Sequence, residues 1–266
     1  MKLTISHVTR YRFEAPVPYG LQQLRKTPKA TRHQTIEEWK TVVEGGRIDL
    51  EYDDHHNNHV HLVRFEKGTQ ELLIRCEGLV SMVEGHGVVG PHRGPAPLWL
   101  YSHETERTKP GPGVRALLKD LEPAENDLAR LHGLMAAIHA AVAYEVGASE
   151  SDWTAEDALS AGRGVCQDHT HVFLAAARRL GYPARYVSGY LMLDDRVEQD
   201  AMHAWAEAHV DGLGWVGFDV SNGMSPDQRY VRVATGLDYR DAAPVTGAVF
   251  GGAAEALDVQ IAVAQQ

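Results

Sequence analysis

Apolar and polar residues alternate through roughly the first hundred positions and then recur every three or four, so the chain passes from a strand period to a helix period. Lys2 to Phe13 reads as one long strand or a strand pair, interrupted by Pro16 and Pro18. Ile36 to Val43, Arg47 to Tyr52, His59 to Phe65 and Gln70 to Val83 supply further strands. The segment Asp53-Asp54-His55-His56-Asn57-Asn58 predicts a turn, with asparagines suited to positive φ. Residues 1–105 are therefore expected to form a β-rich, sandwich-like N-terminal domain. Pro110-Gly111-Pro112-Gly113 breaks the pattern inside residues 106–115, which are expected to be a linker.

Beyond it, Leu128, Leu131, Met135, Ile138 and Val142 share one helical face, with Pro123 placed where a helix starts. Thr154 followed by Asp157 resembles a capping box, and that short helix should stop near Gly162. The next helix opens around Cys166, runs through Val172, Ala175, Ala176 and Leu180, and stops at Gly181 and Pro183. Strands are predicted at Arg185 to Leu191, Ala204 to Val210, Trp215 to Val220 and Tyr230 to Val233. Helices followed by an antiparallel run of strands make residues 116–240 an α+β unit. Residues 241–266 form a tail in which Leu257 to Val263 is a candidate last strand, free in principle to return to either domain.

Composition narrows the classes. The 266 residues suffice for two modest domains or one large one, and 23% charged residues is ordinary for a globular protein. A formal net charge of −10 lacks the clustered positive field that nucleic acid requires. The two cysteines, Cys76 and Cys166, lie far apart with no CxxC pairing, which argues for a reducing compartment over a disulfide framework. No apolar run suits a signal peptide or a membrane span, so the expected location is the cytoplasm and no membrane partner is expected.

The chemistry concentrates around Cys166. A cysteine is more often a small apolar filler than a nucleophile, but this one stands where a glycine-rich turn, Gly162-Arg163-Gly164-Val165, hands over to a helix. The thiolate is the attacking species, and a helix N-terminus or a nearby imidazolium favours it. His203 opens a strand on which His203, Trp205, Glu207 and His209 point one way and Ala204, Ala206, Ala208 and Val210 the other. The loop Asp211-Gly212-Leu213-Gly214 closes a hairpin that brings Asp219 toward His203, where a carboxylate can orient the imidazole. The backbone N–H of Cys166 is the natural first donor to an oxyanion. Gln167, Tyr144 and Trp153 are all candidates for the second. Trp205 is expected beside the histidine in the wall of the acyl site, and Trp215 either in that wall or in plain core.

Four linked motifs carry a resemblance. Gly164-Val165-Cys166-Gln167-Asp168-His169, Pro183-Ala184-Arg185-Tyr186-Val187-Ser188-Gly189-Tyr190, His203-Ala204-Trp205-Ala206-Glu207 and Gly214-Trp215-Val216-Gly217-Phe218-Asp219 resemble the bacterial transglutaminase-like proteins. The likeness extends to Arg229-Tyr230-Val231-Arg232-Val233-Ala234 and Gly236-Leu237-Asp238-Tyr239, and the opening region looks like the β-sheet domain that precedes the core in this family. The resemblance implies a papain-like core with Cys166 as nucleophile, His203 as general base and acid, and Asp219 as orienter. Two departures stand out: Val220-Ser221-Asn222 where the family commonly has Pro-Thr-Asn, and His56-Asn57-Asn58 where Phe-Gly-Asn is expected. Asparagine tolerates a left-handed position, so the second turn should survive.

Rival readings remain. His59 and His61 share a strand face, and His55, His56, His169 and His171 add to the histidine count, yet no acidic or cysteine ligand at site spacing completes a metal set, so no metal or organic cofactor is expected. A binding module on this fold would lack the nucleophile, and here all three positions are filled. After the thioester, water as acceptor makes the enzyme a protease, amidase or deamidase, and a lysine amine makes it a transglutaminase. Hydrolysis of an amide or peptide bond is favoured. The expected partner is a peptide or protein substrate, with self-association left open.

Overall fold

The computed structural model describes residues 1–251 and 254–266. Strands β1 (Lys2–Val17), β2 (Tyr19–Leu24), β3 (Gln34–Glu44), β4 (Gly46–Asp53), β5 (His59–Phe65), β6 (Thr69–Met82) and β7 (Val88–Gly90) come first. Helices α1 (Pro112–Lys119) and α2 (Asp127–Ala141), strand β8 (Ala143–Tyr144), α3 (Ala155–Ala161), β9 (Arg163–Gly164) and α4 (Cys166–Arg179) follow. The chain then runs through β10 (Ala184–Leu191), β11 (Glu198–Gln199), β12 (His203–Val210), β13 (Gly214–Phe218), β14 (Tyr230–Gly236), α5 (Tyr239–Ala242), β15 (Val245–Phe250) and β16 (Glu255–Gln265). Among the described residues no helix is long and apolar enough to cross a membrane.

Three antiparallel sheets carry the molecule, ordered β11-β16-β1-β6-β3, β15-β2-β5-β4 and β14-β10-β12-β13-β7. In β1 every second residue from Leu3 to Phe13 is buried, as a strand with one covered face requires. That face serves two apolar clusters. Leu3 and Ile5 join Val80, Met82, Ile261 and Val263 in packing against the helices and the third sheet. Tyr11 and Phe13 pack with Leu24, Val63 and Phe65 of the second sheet. Between these apolar halves lie two buried polar residues, His7 and Thr9. Lys2 to Phe13 belongs to one long strand that continues to Val17, and its pairing with β6 breaks between Arg12 and Val17, the stretch that holds Pro16.

Helix α4 is covered almost all round. Its Ala175, Ala176 and Ala177 are fully buried in one apolar cluster with the equally small Ala206 and Ala208 of β12, and such small side chains let helix and sheet approach closely. The tail returns to the N-terminal sheets: β16 pairs with β1 along its length, and β15, unforeseen in the sequence, pairs with β2.

Residues 106–115 pack on the core: Thr108 is fully buried and accepts from Arg178 Nη1 at 2.7 Å. The Glu156 carboxylate accepts from the backbone N–H groups of Gly111, Gly113 and Val114 at 2.8, 2.8 and 2.9 Å, supplying the acceptors that the start of α1 lacks. Helix α2 begins after Asn126, whose side chain accepts from Ala129 N, and Pro123 precedes it. Within residues 1–105, β7 pairs with β13, and Tyr101 stands edge-on to Trp215 at 5.2 Å.

Ile261 sits with 2% exposure in the cluster shared by the first sheet and the helices. Ile261→Ala should lower unfolding free energy by about 2–5 kcal/mol in urea denaturation. A change below about 0.5 kcal/mol would mean that the last strand frays from β1.

Candidate active site

Cys166 is the first residue of α4, and the turn before it is held from several sides. Gly162 ends α3 in the left-handed region at φ +65°. At Gly164 a Cβ would come within 2.7 Å of Asp168 Cβ, so only glycine fits there. The Asp168 carboxylate, in the first turn of α4, accepts from Val165 N at 2.7 Å and from Ser149 Oγ at 2.6 Å. His169 puts one ring nitrogen 2.9 Å from Val165 O and the other 2.8 Å from Val142 O. Asp168 thus positions the turn that leads into Cys166; the Cys-x-Asp spacing at a helix start is the signal that could have found it.

His203 opens β12 and donates from Nε2 to Asp219 Oδ2 at 2.6 Å. Its ring stacks on Trp205 at 6.2 Å and tilts against Tyr230 at 5.9 Å. Asp219 is 0% exposed. Besides His203 it accepts from Tyr230 Oη at 2.8 Å, Asn222 Nδ2 at 2.7 Å and Ser221 Oγ at 2.7 Å. The departure at Val220-Ser221-Asn222 therefore keeps its function in the turn: Ser221 and Asn222 hold the carboxylate. Val220 is buried, and its carbonyl accepts from His139 Nδ1 at 2.8 Å.

With Nε2 turned to Asp219, Nδ1 is the ring nitrogen left to serve Cys166, which lines the same cleft as His203. Burial pushes His203 down, but the hydrogen bonds and charges of Asp219 and Cys166 outweigh it and raise the imidazole to about 10. Burial likewise pushes Asp219 up, and His203, Ser221 and Asn222 more than reverse that, holding it at about 2.

Cys166 and His203 line a cleft of about 760 Å³ whose far wall is the first sheet. Of the three candidates for a second oxyanion donor, Tyr144 and Gln167 line this cleft, Gln167 with its amide donating to Ser151 O at 2.9 Å. Trp153 packs against the main apolar cluster instead. Trp215 lies away from the cleft, under the Arg185 guanidinium at 3.8 Å. Glu207, on the same strand face as His203, is buried between Arg185 and Arg232 at 2.6 and 2.7 Å.

The remaining histidines divide. His56 bonds Tyr101 Oη at 3.1 Å, and Asn57 takes φ +59° in the turn expected of it. His171 is buried in α4 and accepts from Tyr239 N at 3.2 Å. His59 and His61 do have an acidic companion that sequence spacing hid: Glu51, on the neighbouring strand, places one ligand atom of each residue within 4.8 Å of the others. This set, able in principle to hold a divalent ion, lies on β4 and β5 outside the cleft.

Residues 115–220 match the core model of the transglutaminase-like superfamily, and residues 3–81 match the bacterial transglutaminase-like N-terminal region. An uncharacterized protein of Mycobacterium leprae (strain TN) is 25% identical over 279 aligned residues, 98% of each chain. An uncharacterized protein of Mycobacterium tuberculosis (strain ATCC 25618 / H37Rv) is 35% identical over 130 residues, 45% of this chain and 41% of that protein. The crystal structure of a putative cysteine protease from Cytophaga hutchinsonii superposes with a TM-score of 0.79 at 21% identity, covering 100% of this chain and 91% of that one, and so shares the fold.

The His203–Asp219 pair makes a pH prediction. Asp219, lowered from 3.8 to about 2, contributes stability that is present above about pH 4 and is lost as pH falls toward 2. His203, raised from 6.5 to about 10, contributes stability that is present below 6.5 and is lost as pH rises through 10. The difference in unfolding free energy between wild type and Asp219→Asn should be largest between about pH 4 and 6.5 and narrow on both sides. A difference that stays flat across urea titrations at several pH values excludes the pairing.

Proposed function

The chain is a transglutaminase-like protein carrying the bacterial N-terminal region of that family, and we propose that it is a thiol-dependent enzyme that hydrolyses an amide or peptide bond through a thioester on Cys166. The observation that carries this reading is the His203 imidazole, bonded through Nε2 to a fully buried carboxylate and lining one cleft with the thiol at the start of a helix. Burial of α4 against the antiparallel sheet that bears His203 and Asp219 supports a papain-like core. The apolar cluster shared by the first two sheets supports a sandwich-like N-terminal unit.

In this mechanism the Cys166 thiol gives its proton to His203 as Sγ bonds to the substrate carbonyl carbon, and the backbone N–H of Cys166 donates to the oxyanion that forms. The C–N bond then breaks, and the leaving amine takes its proton from His203. Water gives a proton to His203 and adds to the thioester carbonyl; the C–S bond breaks, releasing a carboxylic acid and restoring the thiol. Asp219 keeps the imidazole in the required orientation throughout.

Labelling tests the nucleophile. Cys76 is 0% exposed and burial pushes its thiol up, so iodoacetamide followed by intact-mass analysis should modify Cys166 and spare Cys76. His203→Ala should slow labelling and turnover by about a hundredfold or more. Equal labelling of both thiols in the folded protein sinks the catalytic reading, as does full biological effect in Cys166→Ala, which would mark a binding module. Incubation with glutamine-containing peptides, with and without an amine, separates the acceptors. Backbone cleavage is the expected result; ammonia release alone means a deamidase, and amine incorporation a transglutaminase.

A further inference from the structure

The cleft that holds Cys166 and His203 has a second polar centre, on the first sheet. Lys26, His7 and Thr9 all line it, at the place where the buried face of β1 changes from one apolar cluster to the other. Lys26 is 1% exposed. Its Nζ donates to Thr9 Oγ1 and lies 3.2 Å from His7 Nε2, while His7 Nδ1 meets Tyr190 Oη at 2.9 Å. Thr9 Oγ1 also lies 3.1 Å from His7 Nε2, so two donors compete for that single lone pair.

An ammonium has three donors, and those of Lys26 find only these two neutral partners; among the described residues no carboxylate pairs with it. The one acidic group whose charge acts on Lys26 is Cys76, and burial raises that thiol, which keeps it neutral. Burial pushes Lys26 down to about 8, so the side chain is still charged near pH 7. The carboxylates lining the same cleft, Glu198 and Asp200, stand exposed at its mouth. A buried cation without a counter-charge costs several kcal/mol unless something pairs with it. Lys26 is one of the residues lining the cleft a substrate must enter.

We infer that Lys26, supported by His7 and Thr9, forms an anion subsite of the catalytic cleft that receives a carboxylate of the substrate, so that the bond attacked by Cys166 belongs to a peptide or amide carrying a free carboxylate. The inference rests on the reading of Cys166 as the reactive thiol, and it names the substrate class. Lys26 is a binding residue here and takes no part in bond making.

The test uses the full chain and the thiol as reporter. Bromoacetyl peptides of one to three residues, each as the free acid and as the C-terminal amide, are reacted with the protein, and alkylation of Cys166 is followed by intact mass. At one peptide length the acid should react about tenfold faster than its amide, as expected for a charge-assisted hydrogen bond. Lys26→Met should bring that ratio to about one, and Lys26→Arg, which keeps the charge, should retain part of it. Equal rates for acid and amide at every length in the wild type overturn the subsite, and this arm needs no variant to fold. A preference that survives in Lys26→Met overturns the assignment to Lys26. Inorganic phosphate and acetate serve as competitors; suppression of the preference by phosphate alone overturns the carboxylate assignment. The acid-to-amide ratio is read whatever the absolute rate. Failure of Cys166 to outreact Cys76 toward neutral iodoacetamide is therefore a separate result, which counts against the catalytic reading alone.

Discussion

A carboxylate with no exposed surface, Asp219, sets the geometry at the centre of this molecule. Such a charge is tolerated only where donors surround it, and the four donors here come from three pieces of chain. His203 opens β12, Tyr230 opens β14, and Ser221 with Asn222 belong to the turn that follows β13. Satisfying the carboxylate therefore fixes where two strands begin and how one turn closes. It also fixes the imidazole: with Nε2 committed to Asp219, the ring presents its remaining nitrogen toward Cys166. A more basic orientation device is hard to build from so few residues, because any rotation of the ring strands a buried charge.

The same sheet buries a second carboxylate for a different purpose. Glu207 is gripped by Arg185 and Arg232, whose guanidinium groups hold it down at about 2 against the upward push of burial. Arg232 accepts from Lys29 N at 3.0 Å through its carbonyl and donates its own N–H to Gln34 Oε1 at 2.8 Å. Lys29 Nζ and the Asn58 amide reach Thr235 at 3.0 and 2.8–2.9 Å. These bonds tie the first strands to the sheet of His203, so the far wall of the cleft is held in register with the thiol.

The sequence is most readable where one element carries one clear period. Helix α4 and strands β10, β12, β13 and β14 fall where apolar spacing puts them, and Cys166, His203 and Asp219 stand out because their chemistry is uncommon in those positions. What could not be read depends on partners distant in sequence. Glu51 joins His59 and His61 only through the pairing of β4 with β5. Nothing local to Lys26 predicts that it is buried against His7 and Thr9 of β1. Strand β15 is too glycine-containing and too weakly alternating to announce itself, and it exists because the edge of β2 is there to pair with.

That last pairing, with its companion β16 on β1, means that the sheets begun by the first residues are completed by residues 245–265. On a ribosome the chain emerges in order, so β1 and β2 each pass through synthesis with one hydrogen-bonding edge open while some two hundred residues follow. The helices and the His203 sheet can form by nearer contacts, but the first sheet waits for the last strand. Loop closure on that scale slows folding more than it weakens the product. The window in which this protein is most exposed to misassociation thus closes only when β16 docks.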